Sequence, residues 1–251
     1  MAYNDNPYGQ QPQQPQDLFP SLWANQEDLE RATTSCLARV FMRMFAALLV
    51  TAAVSFGIYS YPGATEFLMT NPILTVILII AQLGVVMVLA FRVEKMNPSV
   101  SNVMFFVYAI LTGVTLSFIF ISYEIGTIFQ AFAISALMFG AMAIYGTITH
   151  RDLTGIGTFL RMALIGLILA SIVNIFFRSD TMFVIINYVG VLIFVGLTAA
   201  DTQRIKNLLA QANADNQEEA IRKISVMGAL ILYLDFINLF LKILAILGRR
   251  R

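Results

Sequence analysis

Seven apolar runs divide this chain, at about 40–59, 73–91, 103–122, 128–149, 159–177, 182–200 and 224–247, with short polar stretches between them. About twenty apolar residues suffice to carry an α-helix across a bilayer. The pattern therefore predicts an all-α integral membrane protein, a seven-transmembrane-helix bundle. Turn chemistry marks most of the breaks: Tyr61-Pro62-Gly63, Asn97-Pro98, Gly155 to Gly157, and Arg178-Ser179-Asp180. The stretch 123–127 holds only Gly126, so the third and fourth runs are expected to form a tight hairpin. Ahead of the first run, Asn25 followed by Asp28 predicts a helix N-cap, with the helix continuing past Arg31 and Arg39 into the membrane. Gly57, Gly84, Gly113, Gly140, Gly146, Gly166, Gly190 and Gly196 lie within the runs, where small residues permit close helix contact. Neither a strict GxxxG repeat nor a duplicated half is visible, which disfavours an inverted-repeat transporter.

The beginning of the chain is of another kind. It is rich in Gln, Asn and Pro (GQQPQQPQ at 9–16), a composition that buries too little surface to offset ordering entropy. A disordered cytoplasmic tail is expected over 1–24 and the membrane domain over 25–251. The tail lacks the basic start and apolar core of a secretory signal, and its aromatic patch at 19–23 suits docking at a membrane interface.

Composition agrees with the pattern. Charged residues make up 12% and hydrophobic ones 58%, against about 25% charged in soluble domains. A formal charge of +1 offers no basic block for phosphates, so nucleic acid is not an expected partner. The single cysteine, Cys36, excludes an intrachain disulfide and a thiolate cage, and the single histidine, His150, excludes a polyhistidine metal site.

Polar residues inside the runs point to chemistry. The stretch 228–244, GALILYLDFINLFLKIL, carries Asp235 at its middle. A carboxylate there costs about 2.5–3.5 kcal/mol on insertion scales, so it needs a partner or a wet cavity. At 100° per residue Gly228, Asp235, Asn238 and Lys242 share one face. In the sixth run Asp201 lies within VGLTAADTQRIKNLL, and a helix continuing to about Leu209 aligns it with Asn187, Gly190, Phe194 and Thr198. The polar stretch 210–223 reads as a loop that brings these two seams together as neighbours. Contact between the carboxylates is compatible with the spacing without being required by it. At about 4 Å and an effective dielectric of about 20, two such charges repel by roughly 4 kcal/mol. A pair in contact would share a proton and switch with pH, or, fully ionised, seat a hard cation such as Ca²⁺. The plainer alternative has Asp201 capping its helix and pairing with Arg204. Arg92, ending the second run, either snorkels to the surface or reaches inward as a latch on a carboxylate. Arg43 and Arg161 read as boundary residues, Gln82 and Asn174 as interhelical hydrogen-bond formers, and Lys242 as snorkelling outward. Glu66, Glu124 and Asp180 make the far mouth mildly acidic.

Eleven of the 16 Lys and Arg residues fall on the side of the N-terminus. The positive-inside rule then makes that side cytoplasmic. Seven crossings would leave Arg249, Arg250 and Arg251 outside, against the local rule. A last helix that enters without crossing is therefore the alternative to the full crossing favoured here.

Four segments in order resemble the Bax inhibitor-like family, the transmembrane Bax-inhibitor-motif proteins: GVTLSFIF at 113–120, YGTITHRDLTGIG at 145–157, LTAADTQRI at 197–205 and, most specifically, LYLDFINLF at 232–240. The resemblance implies a seven-helix fold with the last helix central, and a pH-sensitive Ca²⁺ leak. It implies that Asp201 and Asp235 match the family's sensing pair. It also implies a latching arginine at the end of the second helix, for which Arg92 is the nearest candidate. The short basic end and the absence of an ER-retention signal favour a bacterial inner-membrane member, multi-pass and with its N-terminus cytoplasmic.

The expected function is a cation leak gated by the aspartate pair, with Ca²⁺, protons and membrane lipid as its partners and no tightly bound cofactor. Asn238, Thr198, Asn187 and Arg204 are the supporting polar residues. The alternative is a membrane-embedded modulator that binds a membrane protease or another inner-membrane complex through the tail. An enzyme is not expected. Intramembrane aspartyl proteases place Gly-x-Gly before their second aspartate and tyrosine before the first, whereas here Tyr233-Leu234 and Ala200 stand there. A hydrolase lacks a partner constellation for His150.

Overall fold

The structure, a computed structural model, describes residues 15–248. Along the chain they form α1 (Pro15–Ser60), α2 (Pro62–Thr70), α3 (Pro72–Arg92), a 3₁₀ turn (Val93–Lys95), α4 (Pro98–Leu116), α5 (Ile119–Ser122), α6 (Ile125–Ile148), α7 (Thr154–Phe177), α8 (Asp180–Ala214) and α9 (Glu218–Leu247). Seven segments are long and apolar enough to cross a membrane: Gln26–Ser60 of α1, α3, Pro98–Ser122, α6, α7, α8 and α9. No strand occurs among the described residues. The protein is a seven-helix integral membrane bundle. Of the tail expected at 1–24, residues 1–14 lie outside the described residues, as do Arg249, Arg250 and Arg251. Residues 15–24 begin α1, so Asn25 stands inside that helix and not at its start.

The spans alternate in direction. One face of the bundle, here the N-face, carries the connections 93–97, 149–153 and 215–217; the opposite C-face carries those at 61–71, 123–124 and 178–179. The turn signals act locally as expected. The Asn97 Oδ1 accepts from the Ser99 N–H at 2.9 Å, with Pro98 as the first residue of α4. Ser179 Oγ accepts from the Met182 N–H at 3.3 Å to cap α8, after Arg178 closes α7 in the left-handed region at φ 50°.

Two features depart from the sequence pattern. The third run is broken at Ser117-Phe118, where Ser117 is buried and its hydroxyl donates to the Val114 carbonyl at 2.7 Å. A serine hydroxyl competing for backbone bonds breaks a helix without any Gly or Pro signal. The loop read at 210–223 shrinks to residues 215–217, which turn through Asn216 at φ 53°. The reason is a stripe that composition hides: Ile205, Leu209 and Ala212 are all buried, so helix continuation buries them together. The pairs Glu218–Arg222 (3.2 Å) and Glu219–Lys223 (2.8 Å) support the first turns of α9 at helical spacing.

The last helix is the axis of the bundle. α9 packs against α8, α1, α6 and α4, and half of its most apolar window is buried, against 6% for α3 and α7. Those two outer helices turn Ile80, Phe91, Ile165 and Phe176 outward, toward lipid. α9 runs the full height of the bundle, since Gly248 stands against the Tyr123 ring at the C-face. On the side of α9 facing α1 and α4, Tyr233 is fully buried, edge-on to Phe105 (centroids 5.7 Å apart) and Tyr108 (5.9 Å). Thr51 Oγ1 donates to the Ala109 carbonyl at 2.9 Å, so the Tyr233 hydroxyl, 2.7 Å away, is the donor to Thr51.

Gln82 joins α3 to α4: its Nε2 donates to Thr112 Oγ1 and its Oε1 accepts from Thr115 Oγ1, both at 3.0 Å. Asn174, read as an interhelical group, instead accepts the Ser179 N–H at 3.0 Å within the α7–α8 turn. Gly113, Gly146, Gly190 and Gly196 sit at helix contacts, whereas Gly57, Gly84, Gly140 and Gly166 face open space. At Gly146 the carbonyl of Ala199 on α8 occupies the position a Cβ would take. Gly146→Ala is therefore expected to cost about 1–3 kcal/mol through forced separation of α6 from α8. Gly140→Ala, on the same helix but in open space, should change stability by less than about 0.5 kcal/mol. Unfolding titrations in mixed micelles compare the two, and equal effects would remove this contact from the account.

Candidate intramembrane acidic site

Asp201 and Asp235 come from neighbouring antiparallel helices joined by the turn at 215–217. Counted from Asn216, Asp201 lies 15 residues back along α8 and Asp235 19 residues forward along α9. The difference sets Asp235 about 6 Å deeper from the N-face, at 1.5 Å per residue. Both are buried, with relative exposures of 6% and 5%. Both line one cavity of about 410 Å³ between α7, α8 and α9. Asp235 lies in the electrostatic field of both Asp201 and Arg161.

Their surroundings differ. Asp201 Oδ1 accepts from Arg161 Nη2 at 2.8 Å, an ion pair in which the aspartate side chain keeps 8% of its surface and the arginine 40%. The arginine on Asp201 is thus Arg161, and neither Arg204 nor Arg92. Helix packing gives the reason. α7 packs along α8, whereas α3 packs chiefly on α4 and ends with Arg92 exposed. Arg204, one turn along α8 from Asp201, is exposed but still lines the cavity. Asp235 Oδ2 is buried without a hydrogen-bond partner among the described residues. An unpaired carboxyl oxygen in such a place carries a desolvation penalty that a paired one avoids.

The supporting polar residues divide. Asn238 lines the same cavity, its Nδ2 donating to the Leu234 carbonyl at 2.8 Å. Thr198 is fully buried and donates to the Phe194 carbonyl of its own helix at 2.8 Å. Asn187 lies toward the C-face, where it lines a separate cavity of about 610 Å³. Among the described residues no group of three or more His, Cys, Asp or Glu comes together. Oxygen donors for a cation here would be the two carboxylates and neighbouring amide oxygens.

Two further residues of the α8 motif hold the N-face rim. Gln203 is buried and clamps the α6–α7 connection: its Oε1 accepts the Leu153 N–H at 2.8 Å and its Nε2 donates to the Arg151 carbonyl at 2.8 Å. Lys206 Nζ donates to the Thr147 carbonyl at 2.8 Å, near the end of α6, where free carbonyls attract a cation. In that connection Asp152 Oδ1 accepts from the Thr154 N–H at 2.9 Å, and hydrogen bonding to Thr154 holds its carboxyl below the usual carboxylate range. This rim fixes the start of α7, and with it Arg161. Arg161, expected from the sequence to be a boundary residue, reaches inward to Asp201 instead, because a boundary arginine and an inward-reaching one look alike at that spacing. The one available signal was the seven-residue interval from Thr154, which puts Arg161 two turns into its helix.

A polytopic bundle with one neutralised and one unpaired carboxylate lining a shared cavity between its spans defines a membrane protein built around an intramembrane acidic site. Comparison with known proteins agrees over nearly the whole chain. The family model described as inhibitor of apoptosis-promoting Bax1 matches residues 33–251, and the chain belongs to that family. YbhL, an inner membrane protein of Escherichia coli strain K12, is 46% identical over 215 residues, covering 86% of this chain and 92% of its own. An uncharacterized protein of Rickettsia prowazekii, RP147, is 39% identical with coverage of 86% and 89%. An uncharacterized membrane protein of Streptococcus pyogenes serotype M3, SpyM3_0260, is 42% identical over 170 residues, 68% of this chain and 72% of its own.

Proposed function

We propose that this protein is a pH-sensitive leak for Ca²⁺ and other cations, set in a bacterial inner membrane with the N-face toward the cytoplasm. One observation carries the reading: two buried carboxylates on adjacent spans line one cavity between α7, α8 and α9, and only one of them has an ion-pair partner among the described residues. Buried ionisable groups within membrane spans mark ion and proton pathways more often than they serve packing. The excess of Lys and Arg on the N-face supports the orientation, and the E. coli relative's description as an inner membrane protein supports the location.

In this reading Arg161 occupies the anionic site while the path is shut. A divalent cation entering from the N-face competes with Arg161 for Asp201 and gains Asp235 as a second oxygen ligand, the hard donors Ca²⁺ prefers. Protonation of either carboxyl removes negative charge from the cavity and lowers its attraction for cations. The sign follows: flux falls as pH falls.

Liposome flux tests the proposal. Wild-type protein should release Ca²⁺ faster at alkaline than at acidic pH. The combined change Asp201→Asn and Asp235→Asn should abolish that dependence and reduce flux by about tenfold or more, since each removed charge alters local cation binding by more than 1.4 kcal/mol. Wild-type flux that the double change leaves as it was, at every pH, sinks the proposal. Tail-dependent partner capture without any flux would instead favour the protease-modulator alternative.

A further inference from the structure

Three cavities follow one another along α7 and α8, the central and C-face ones also lined by α9. An N-face cavity of about 380 Å³ shares Arg161 and Arg204 with the central acidic one; the central cavity in turn shares Ser171 and Lys242 with the C-face cavity of about 610 Å³. The acidic site is thus bracketed by cationic side chains at both ends. Arg161 at the N-face end is paired with Asp201. Lys242 at the other end takes part in no ion pair or hydrogen bond among the described residues.

Its placement is nonetheless definite. The aliphatic stem of Lys242 lies in the notch left by Gly190 on α8, where a Cβ would stand 3.0 Å from Cδ and 3.1 Å from Cγ and Cε. Lys242 is half-buried and does not simply snorkel away. It stands two turns along α9 from Asp235, at the level where the central and C-face cavities meet. Arg178 and Asp180 are the charged groups of the C-face cavity, and Asp201, Arg161, Arg204 and Asp235 those of the central one.

We propose that Lys242, seated on Gly190, is a charge gate at the C-face end of the path, setting how readily cations pass between the outer vestibule and the acidic cavity. The assignment rests on the central cavity being an ion path, the reading given above. An ammonium where the two cavities meet repels cations and admits anions, whatever the state of the aspartates. The path then has two independent barriers, a displaceable ion pair at one end and an unpaired cation at the other.

Charge-selective cysteine labelling tests the gate without requiring any flux. Cys36→Ser removes the only cysteine, and Asn238→Cys places a reporter in the central cavity, one turn inside Lys242. Membrane-impermeant cationic and anionic thiosulfonates of similar size are added from the C-face of reconstituted vesicles. Lys242→Met should speed the cationic reagent about tenfold, the effect of one unit charge about 6 Å away in a partly wet medium, and should not speed the anionic one. Lys242→Gln should reproduce this, guarding against a single variant that misfolds, and Lys242→Arg should keep the slow rate. Cationic labelling unchanged by both neutral variants, or a reporter unreactive in every background, overturns the proposal. Ca²⁺ flux measured on parallel vesicles that carry the same Lys242 variants but keep Asn238 separates the two readings. Labelling that depends on Lys242 with no flux anywhere retires the leak and keeps the gate. Flux that responds to the aspartates but ignores Lys242→Met retires the gate and keeps the leak.

Discussion

Arg161→Met should destabilise the bundle by about 3 kcal/mol, the lower end of the range for breaking a buried pair, because Arg161 keeps 40% of its side-chain surface. The loss comes less from the missing attraction than from what stays behind. Asp201, with 8% of its side chain accessible, is left beside Asp235 with no cation on either carboxylate. Adding Asp201→Asn to Arg161→Met removes the stranded charge, and most of the stability should return. The four proteins of this double-mutant cycle isolate the pair, with unfolding followed by circular dichroism in mixed micelles. Additive losses would mean that the pair is formed without contributing to stability. The same cycle bears on the proposed leak, since Arg161→Met should also raise flux at alkaline pH by freeing the carboxylate that Arg161 occupies.

The second large effect is expected on the opposite side of α9. Tyr233→Ala removes a fully buried ring that meets Phe105 and Tyr108 edge-on. The loss should be about 3–5 kcal/mol, the usual range for emptying a large aromatic site. Tyr233→Phe keeps the ring and deletes only the hydroxyl that donates to Thr51, so about 1 kcal/mol is expected. Because Tyr233 and Asp235 point to different sides of the helix, Tyr233→Phe should leave the pH dependence of flux as it is. A shift in that dependence would show that the packing face and the acidic face of α9 act as one unit.

These two residues also mark where the sequence was informative. Helical phase placed Asp235 on a polar seam, and that seam does face a cavity shared with Asp201. The seven spans were legible because hydrocarbon thickness imposes a length that composition records directly. Partner choice was not legible. Arg43, Arg92, Arg161 and Arg204 all stand near span ends, and only helix packing decides which of them meets Asp201. The 215–217 turn was hidden for a related reason. A polar stretch lowers mean hydropathy even when every third or fourth residue is buried, as Ile205, Leu209 and Ala212 are. The break at Ser117 depends on one hydroxyl choosing a carbonyl three residues back, a choice without a compositional trace.

The position of α9 has a consequence for how the molecule is made. Chains are synthesised from the N-terminus, and early segments begin to assemble before late ones exist. Here the segment that α1, α4, α6 and α8 all pack against leaves the ribosome after all of them. Until it arrives those helices can pack only on one another, as α1 does on α4 and α6 on α8, and the surfaces that will cover Tyr233, Leu232 and Leu239 lack their partner. A nascent chain that ends before α9 begins at Glu218 lacks the helix on which the others converge. That carboxylate-bearing final helix enters a groove already lined by Arg161 and Asp201. Completion of the fold and completion of the acidic site are therefore the same event.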